Sequence, residues 1–342
     1  MGTATSNPLV TICCTTYNHA PFIAQTIEGF LAQETDFPVE ILVRDDCSTD
    51  GTREIVQGLA QRYSERVHAV LEPENTFRKG VKPLPQILPR ARGRYLALCE
   101  GDDQWTDRTK LARQVQVFER DPQVSLCFHS ARKLDLLTGR EEIICRHYRA
   151  DREVPFSALV LGGGHFVPTA SMMFRNEAIG ELTASYAQAP VGDYFIQVFM
   201  GARGKSYYID RPMALYRRHA SGSWSQGFRS IEAQVRHRRE MCRAIDRFYP
   251  FLSGHPQAGL LADAYMDQAT LALLPLGDPV KILTGQWAAA RQARHLPRAR
   301  LASALIRLDL ARMGRRLSRL GKGARGGIRR LLSRRLGIGD GD

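Results

Sequence analysis

The chain has 342 residues, 44% hydrophobic and 24% charged; this is enough to bury the core of one large domain or two modest ones, and it excludes disorder along the whole length. Its 29 glycines and 17 prolines follow no fixed period, which excludes collagen-like, low-complexity and solenoid architectures. The net charge of +13 is unevenly spread: from Arg291 to Asp342 fifteen Lys and Arg face three Asp, so this stretch carries +12 and residues 1–290 only +1. The charge therefore speaks for the surroundings of the tail, not for the chemistry of the body.

Seven cysteines, an odd number without a CxxC pair, fall largely inside apolar runs. That pattern predicts buried thiols in a reducing, cytoplasmic compartment instead of a disulfide framework or zinc site. The start MGTATSNPLV lacks the charged and apolar regions of a secretory signal. Met1-Gly2 with Ser6 fits the myristoylation pattern, which is short enough to arise by chance. The longest uncharged stretch, Val154 to Phe174, has the length of a membrane span, but Pro155, Pro168 and three consecutive glycines would break a helix there. No transmembrane helix is predicted.

The first hundred residues alternate between two periodicities. Leu9 to Thr15 is a continuous apolar, β-branched run and predicts a buried strand; Phe22, Ile23, Ile27, Phe30 and Leu31 recur at helical spacing. Val39 to Arg44 repeats the strand signal, and a polar turn leads into a helix over Arg53 to Tyr63 that Asp50 or Thr52 can cap. Val67 to Leu71 and Arg94 to Cys99 are further short strands. The alternation predicts a mostly parallel sheet flanked by helices, with ligands beyond the carboxyl ends of the strands. Val124 to His129, Phe166 to Phe174 and Ser206 to Ile209 also read as strands, and Asp193 to Met200 as a buried helix. Strand signals then fade: Ile231 to Tyr249 and Leu260 to Leu274 read as helices. Ile306, Leu310, Met313, Leu317 and Leu320 form an apolar stripe among arginines, which suits an anionic membrane surface or packing on the chain's own body.

Acidic residues close two of the early strands, Asp45-Asp46 one and Glu100-Gly101-Asp102-Asp103 the other. Clustered carboxylates hold hard divalent cations, which neutralise phosphate oxygens; Asp-Cys-Ser-Thr-Asp-Gly alone also makes a good capped turn. The glycine run Gly162-Gly163-Gly164 lacks the spacing of a dinucleotide fingerprint.

In chain order, VTICCTTYNHAPFIAQTIEGFLAQ, EILVRDDCSTDGT, GRYLALCEGDDQWTD, VGDYFIQVFMGARGKSYYID and MALYRRHASGSWS resemble the successive motifs of family 2 glycosyltransferases, over about residues 8–227. The resemblance implies a GT-A fold, with residues 1–227 as catalytic domain, 228–299 as a helical extension and 300–342 as a basic amphipathic tail. It implies inverting transfer of a sugar from a nucleotide-sugar donor, UDP-sugar by default and dTDP- or GDP-sugar as alternatives, to a glycan or lipid-linked acceptor in surface polysaccharide assembly, with Mg2+ or Mn2+ as cofactor.

Carried over residue by residue, the resemblance sets Thr15 and Tyr17 against the nucleobase and Asp46 in a hydrogen bond to it, although Thr15 also suits a strand end and Tyr17 a loop contact. Asp102 falls near ribose or metal and Asp103 on the metal. Glu100 stands where many members have Asp, and Cys47 where they often have Gly. Asp193 aligns with the catalytic base; a helix cap is its bland alternative. His219 aligns with a residue that touches metal or diphosphate, with Arg218 beside it and Ala220 to Ser225 as a closing loop. Lys82, with Arg78 and Lys79, is a candidate phosphate contact or a loose surface cation; His165 and Trp105 are candidates for the cleft wall.

The alternatives are an inactive GT-A-like protein that binds a nucleotide sugar, and a nucleic-acid binder led by the tail. No zinc module, recognition helix or basic aromatic sheet supports the second, so no nucleic-acid partner is expected.

Overall fold

A computed structural model describes residues 7–220, 230–276 and 279–305. The first strands form where the continuous apolar runs predict them: β1 (Val10–Thr16), β2 (Val39–Asp45), β3 (Val67–Leu71) and β4 (Tyr95–Glu100). They pair in parallel in the order β3-β2-β1-β4. A strand buried on both faces is apolar at most positions, and its buried polar residues, such as Glu40 and Arg44 on β2, are paired. β1 shows why: Val10, Ile12 and Cys14 point into one core and Cys13 into the other. The crossovers carry α1 (Ile23–Leu31) and α2 (Thr52–Arg62). Gly51, at φ 98°, is the N-cap of α2, while Asp50 Oδ1 accepts from the Thr52 N–H at 3.1 Å.

α3 (Pro83–Ile87) precedes β4, and beyond β4 come β5 (Gln104–Trp105), α4 (Lys110–Arg120), β6 (Val124–His129), β7 (Ala131–Asp135), β8 (Glu141–Ile144), β9 (Arg152–Val154) and α5 (Phe156–Leu161). Next are β10 (Met173–Arg175), α6 (Ile179–Tyr186), α7 (Asp193–Gly201), β11 (Lys205–Ile209) and β12 (Ala214–Arg218). The strand expected over Phe166 to Phe174 is mostly not one. Residues Gly163–His165 and Thr169–Ser171 form 3-10 turns, and only Met173–Arg175 joins the sheet. Pro168, lacking an N–H, precedes the second turn, whose Ser171 N–H and hydroxyl both bond its carbonyl.

The main sheet has the order β3-β2-β1-β4-β10-β6-β11-β9, with β10 antiparallel to both neighbours. A second sheet, β5-β12-β7-β8, lies apart from it in pairing. β12 runs antiparallel to β5, just after the acidic turn, and parallel to β7.

After β12 the described chain is helical: α8 (Ile231–Phe248), α9 (Leu260–Leu273) and α10 (Pro279–Gln292). Ser230 caps α8 through a bond from the Ala233 N–H. Met241, Ile245, Phe248, Leu261 and Met266 share one core with Leu96, Phe128 and Phe195. Asp246, buried on α8, accepts the N–H groups of Arg294, His295 and Leu296 at 2.9 Å each, pinning the segment that leaves α10. No described helix is long and apolar enough to cross a membrane. The myristoylation pattern at residues 1–6, the closing loop from Ser221 to Ser225 and the apolar stripe from Ile306 lie outside the described residues.

Candidate active site

β1, β2 and β4 end side by side, because Thr15 pairs with Arg44 and with Glu100. Thr15 and Tyr17, both half-buried, therefore stand beside the two acidic turns. The Thr15 carbonyl accepts the Gly101 N–H at 2.9 Å, and the Thr16 carbonyl accepts the Asp46 N–H at 3.0 Å. Gly101 is required by this closeness: a Cβ there would sit 2.5 Å from Thr16 Oγ1 and 3.1 Å from His19 Nδ1.

The adjacent aspartates divide their work. Asp45, fully buried, closes its own turn by accepting from Ser48 N–H and from Arg53 Nε at 3.2 Å. Asp46 turns to the next crossover. Its Oδ1 accepts from Arg44 Nη2 at 2.9 Å and from the Thr76 N–H and hydroxyl; its Oδ2 accepts from the Phe77 N–H at 3.0 Å. Desolvation raises its pKa, but these bonds and the Arg44 charge outweigh it and hold the carboxyl below the usual range. Asp46 thus acts as an acceptor, with Oδ2 taking one donor among the described residues. Cys47 follows at φ 63°, in the left-handed region that favours glycine.

The second acidic group gathers Glu100, Asp102 and Asp103. Asp102 and Asp103 are buried, whereas Glu100 keeps an exposed edge at the mouth. Desolvation, then the charges of Asp102 and Asp193, push Glu100 up to about 8; solvent at its exposed edge screens the size of that shift without changing its direction. Desolvation, then Asp102 and Glu100, raise Asp103 well above its ordinary value. Three carboxylates beside a single guanidinium among the described residues, that of Arg217, form a set of hard oxygen donors whose chemistry suits a divalent cation. The unbonded Thr16 Oγ1 and His19 Nδ1 beside Gly101 add to the polar groups there. As the side chains stand, no group of three or more His, Cys, Asp or Glu among the described residues is arranged to hold a metal.

Asp193 begins α7, following the N-cap Gly192, and its Oδ1 accepts from the Tyr194 N–H at 2.7 Å. Desolvation raises its pKa, against that bond and the His165 charge. Asp193 lies close enough to act electrostatically on Glu100, so the start of α7 stands near the end of β4. Lys82 lies between the halves: its ammonium donates to the Pro190 carbonyl at 2.8 Å and sits 5.4 Å from the Phe77 ring centre.

Other expected residues stand elsewhere. Arg218 Nη1 and His219 Nδ1 lie 3.8 and 3.4 Å from Asp135 Oδ2, on β7, and neither bonds to the acidic turn. Lys79 pairs with Glu74 on the surface. Trp105 is a core residue: buried, donating to the Ala170 carbonyl at 2.8 Å and packed edge-on against Phe30. A groove of about 690 Å³ near Phe156, Arg203 and His255 opens at the amino ends of β6 and β11, away from these groups.

Sequence reasoning missed three residues. Arg44 underpins Asp46; His19, in the quoted YNHA run, has Nε2 3.8 Å from Asp102 Oδ2; and Arg217, not Arg218, reaches the acidic turn, with its N–H 3.1 Å from Asp103 Oδ1. Strand alternation was the available signal for the last, since consecutive residues of β12 face opposite sides.

A mostly parallel sheet with helices on both faces and acidic residues at its strand ends defines a GT-A fold. The crystal structure of S. aureus TarS in complex with UDP-GlcNAc superposes with a TM-score of 0.51 at 14% identity, covering 88% of this chain and 92% of that one. Residues 11–182 match the profile of glycosyl transferase family 2, and the chain belongs to that family. An uncharacterized Mycobacterium tuberculosis protein is 34% identical over 224 residues, 64% of this chain and 61% of that protein. The putative teichuronic acid biosynthesis glycosyltransferase TuaG of Bacillus subtilis is 37% identical over 109 residues, 32% of this chain and 41% of its own length. The chain thus spans about three fifths or less of the length of these relatives.

Proposed function

We propose that this chain is an inverting glycosyltransferase that moves a sugar from a nucleotide-diphosphate sugar to a hydroxyl of a glycan or lipid-linked acceptor. One observation supports the reading most: Asp46 and the acidic turn at Glu100 to Asp103 stand at adjoining strand ends, Asp193 acts electrostatically on Glu100, and Lys82 ties the loop that bonds Asp46 to Pro190. Family membership supports it, and the relative named for teichuronic acid biosynthesis supports a role in surface polysaccharide assembly. Residues 1–227 are the proposed catalytic unit, with 228–299 a helical extension.

Asp46 favours a base that presents an N–H. An ionised carboxylate only accepts, so it suits the ring N–H of uracil, thymine or guanine, and it meets cytosine only through the exocyclic amino group. UDP-sugar is our first choice, with Thr15 and Tyr17 against the base. Glu100, Asp102 and Asp103 would hold Mg2+ or Mn2+, and when bound that ion supplies charge neutralisation for the departing diphosphate. Lys82, held by Pro190, adds a cation between donor and acceptor sides.

Asp193 takes the proton of the acceptor hydroxyl as its oxygen bonds to the anomeric carbon. The bond to the nucleotide diphosphate breaks on the opposite face, which inverts the centre. A desolvated carboxylate with a raised pKa is the better base for this transfer. His219 and Arg218, which stand beside Asp135, would serve in this proposal as a further metal ligand and a diphosphate contact.

The test is a nucleotide-sugar panel scored by calorimetry and nucleotide release, with and without Mg2+ or Mn2+. One donor bound and turned over, with loss on chelation, is expected. Binding that survives Asp103→Ala and Asp193→Ala, without turnover of any donor in the wild type, would favour an inactive nucleotide-sugar binder. We extend the reading to a peripheral position on the inner face of the cell membrane through the basic tail. Flotation with anionic vesicles should then fall when the chain is ended near residue 300; equal flotation would remove the tail as an anchor.

A further inference from the structure

One buried cation beside the acidic turn has no part in the chemistry above. Arg217 is 4% exposed and sits where β12 passes the turn. Its Nη1 donates to the Asp102 carbonyl at 3.0 Å, and its Nη2 to Gln25 Oε1 at 2.8 Å and Gln104 Oε1 at 2.9 Å. The guanidinium carbon lies 5.2 Å from the Phe22 ring centre. Its backbone N–H donates to Asp103 Oδ1 at 3.1 Å. One residue therefore joins α1, the acidic turn and β5 to β12. Among the described residues the guanidinium makes no ion pair, so its donors are spent on carbonyl and amide oxygens, a fixed fork that an ammonium cannot copy.

These bonds also divide the oxygens of Asp103. Oδ1 is taken by the Arg217 N–H, and the main-chain carbonyl accepts the Thr26 hydroxyl at 2.6 Å. Oδ2 has no protein donor among the described residues. We propose that Arg217 is the positioning residue of the acidic turn: it locks the Asp102–Asp103 backbone against α1 and presents Asp103 to a cation through Oδ2 alone. A carboxylate limited to one oxygen favours a small octahedral ion over Ca2+, which draws on more oxygens and often on both of a carboxylate. The inference deepens the glycosyltransferase reading and rests on it.

The test uses the full chain with UDP and Mn2+, following free Mn2+ by electron paramagnetic resonance and folding by thermal unfolding. Arg217→Lys keeps the charge but cannot reach three acceptors at once. We expect it to fold, with an Mn2+ Kd raised roughly tenfold or more and a smaller preference for Mn2+ over Ca2+. Turnover should recover at high Mn2+, with the acceptor KM unmoved. The double variant Gln25→Ala with Gln104→Ala keeps the arginine and removes two anchors; it should shift the Mn2+ Kd the same way by less. A lower melting temperature with wild-type Mn2+ affinity and ion preference in both variants would make Arg217 structural only and overturn the inference. If the wild type itself binds neither UDP nor Mn2+, the glycosyltransferase reading fails and takes this one with it.

Discussion

The Lys82 ammonium donates to the Pro190 carbonyl at 2.8 Å, three residues before Asp193, while Lys82 also lies over the ring of Phe77, whose N–H bonds Asp46. The loop that bonds Asp46 is thereby tied to the segment that leads into Asp193. Burial lowers the Lys82 pKa, with Glu240 opposing. Lys82→Met should raise donor KM and lower kcat together, each about tenfold, as loss of a charge-assisted bond implies. Steady-state kinetics checks this; a change in acceptor KM alone would contradict it.

Asp46→Asn should weaken UDP binding by roughly tenfold to a hundredfold, the cost of one bond to a charged acceptor. The amide keeps one acceptor oxygen but sets an NH2 toward Phe77 N–H or toward Thr76 and Arg44. Calorimetric titration with UDP measures it, and wild-type affinity would remove Asp46 from the base site.

Asp193→Asn should cut kcat by about a hundredfold to ten-thousandfold, the range for a lost general base, with UDP affinity unchanged. Activity needs the ionised carboxylate, whose pKa is raised by desolvation. The acidic limb of the kcat profile should therefore lie at higher pH than an ordinary aspartate gives. His165 opposes that rise, so His165→Ala should move the limb further up. A downward move would show that another group carries the limb.

Glu100 and Asp103 are both raised by desolvation and by neighbouring carboxylates, so a divalent cation held there, as proposed, would compete with protons. Added Mn2+ should therefore stabilise the chain more at pH 8 than at pH 6. At a hundred times Kd the gain is about 2.7 kcal/mol, a few degrees in melting temperature. Equal gains at both pH values in thermal scans would contradict the competition.

Lys110 is buried, 3.9 Å from the Trp105 ring centre, and donates to Gln114 Oε1 at 2.7 Å. Desolvation lowers it to about 7, with Cys99 and Cys127 opposing. Between pH 7 and the unfolded value near 10.4, the unfolded chain binds a proton that the folded chain does not, so this residue makes stability rise with pH. The buried thiols, raised by desolvation, act in the opposite sense, so the quantity to read is the difference between variants. Urea unfolding at pH 7 and 9.5 should show Lys110→Met losing stability relative to wild type as pH rises; parallel curves would place a charged lysine in the core.

β1 to β4 were legible because a strand buried on both faces must be apolar at nearly every residue, and the acidic runs at their ends could only fall where parallel strands deliver ligands. Asp193 was singled out by motif order, and the structure places it at the start of α7. Arg217 was not: Tyr216 to His219 reads as one basic run until strand pairing decides which residues turn inward. The same limit hid Arg44 and gave Arg218 and His219 a place beside Asp135.

By itself the sequence determined the local periods, the acidic punctuation and hence the parallel half of the sheet, since these depend on neighbours a few residues apart. Only the tertiary structure decided that β10 enters antiparallel between β4 and β6, that Phe166 to Pro168 stays out of the sheet, and that Lys82 bridges to Pro190. Those outcomes depend on pairings between segments distant in the chain, whose free energy no local pattern records.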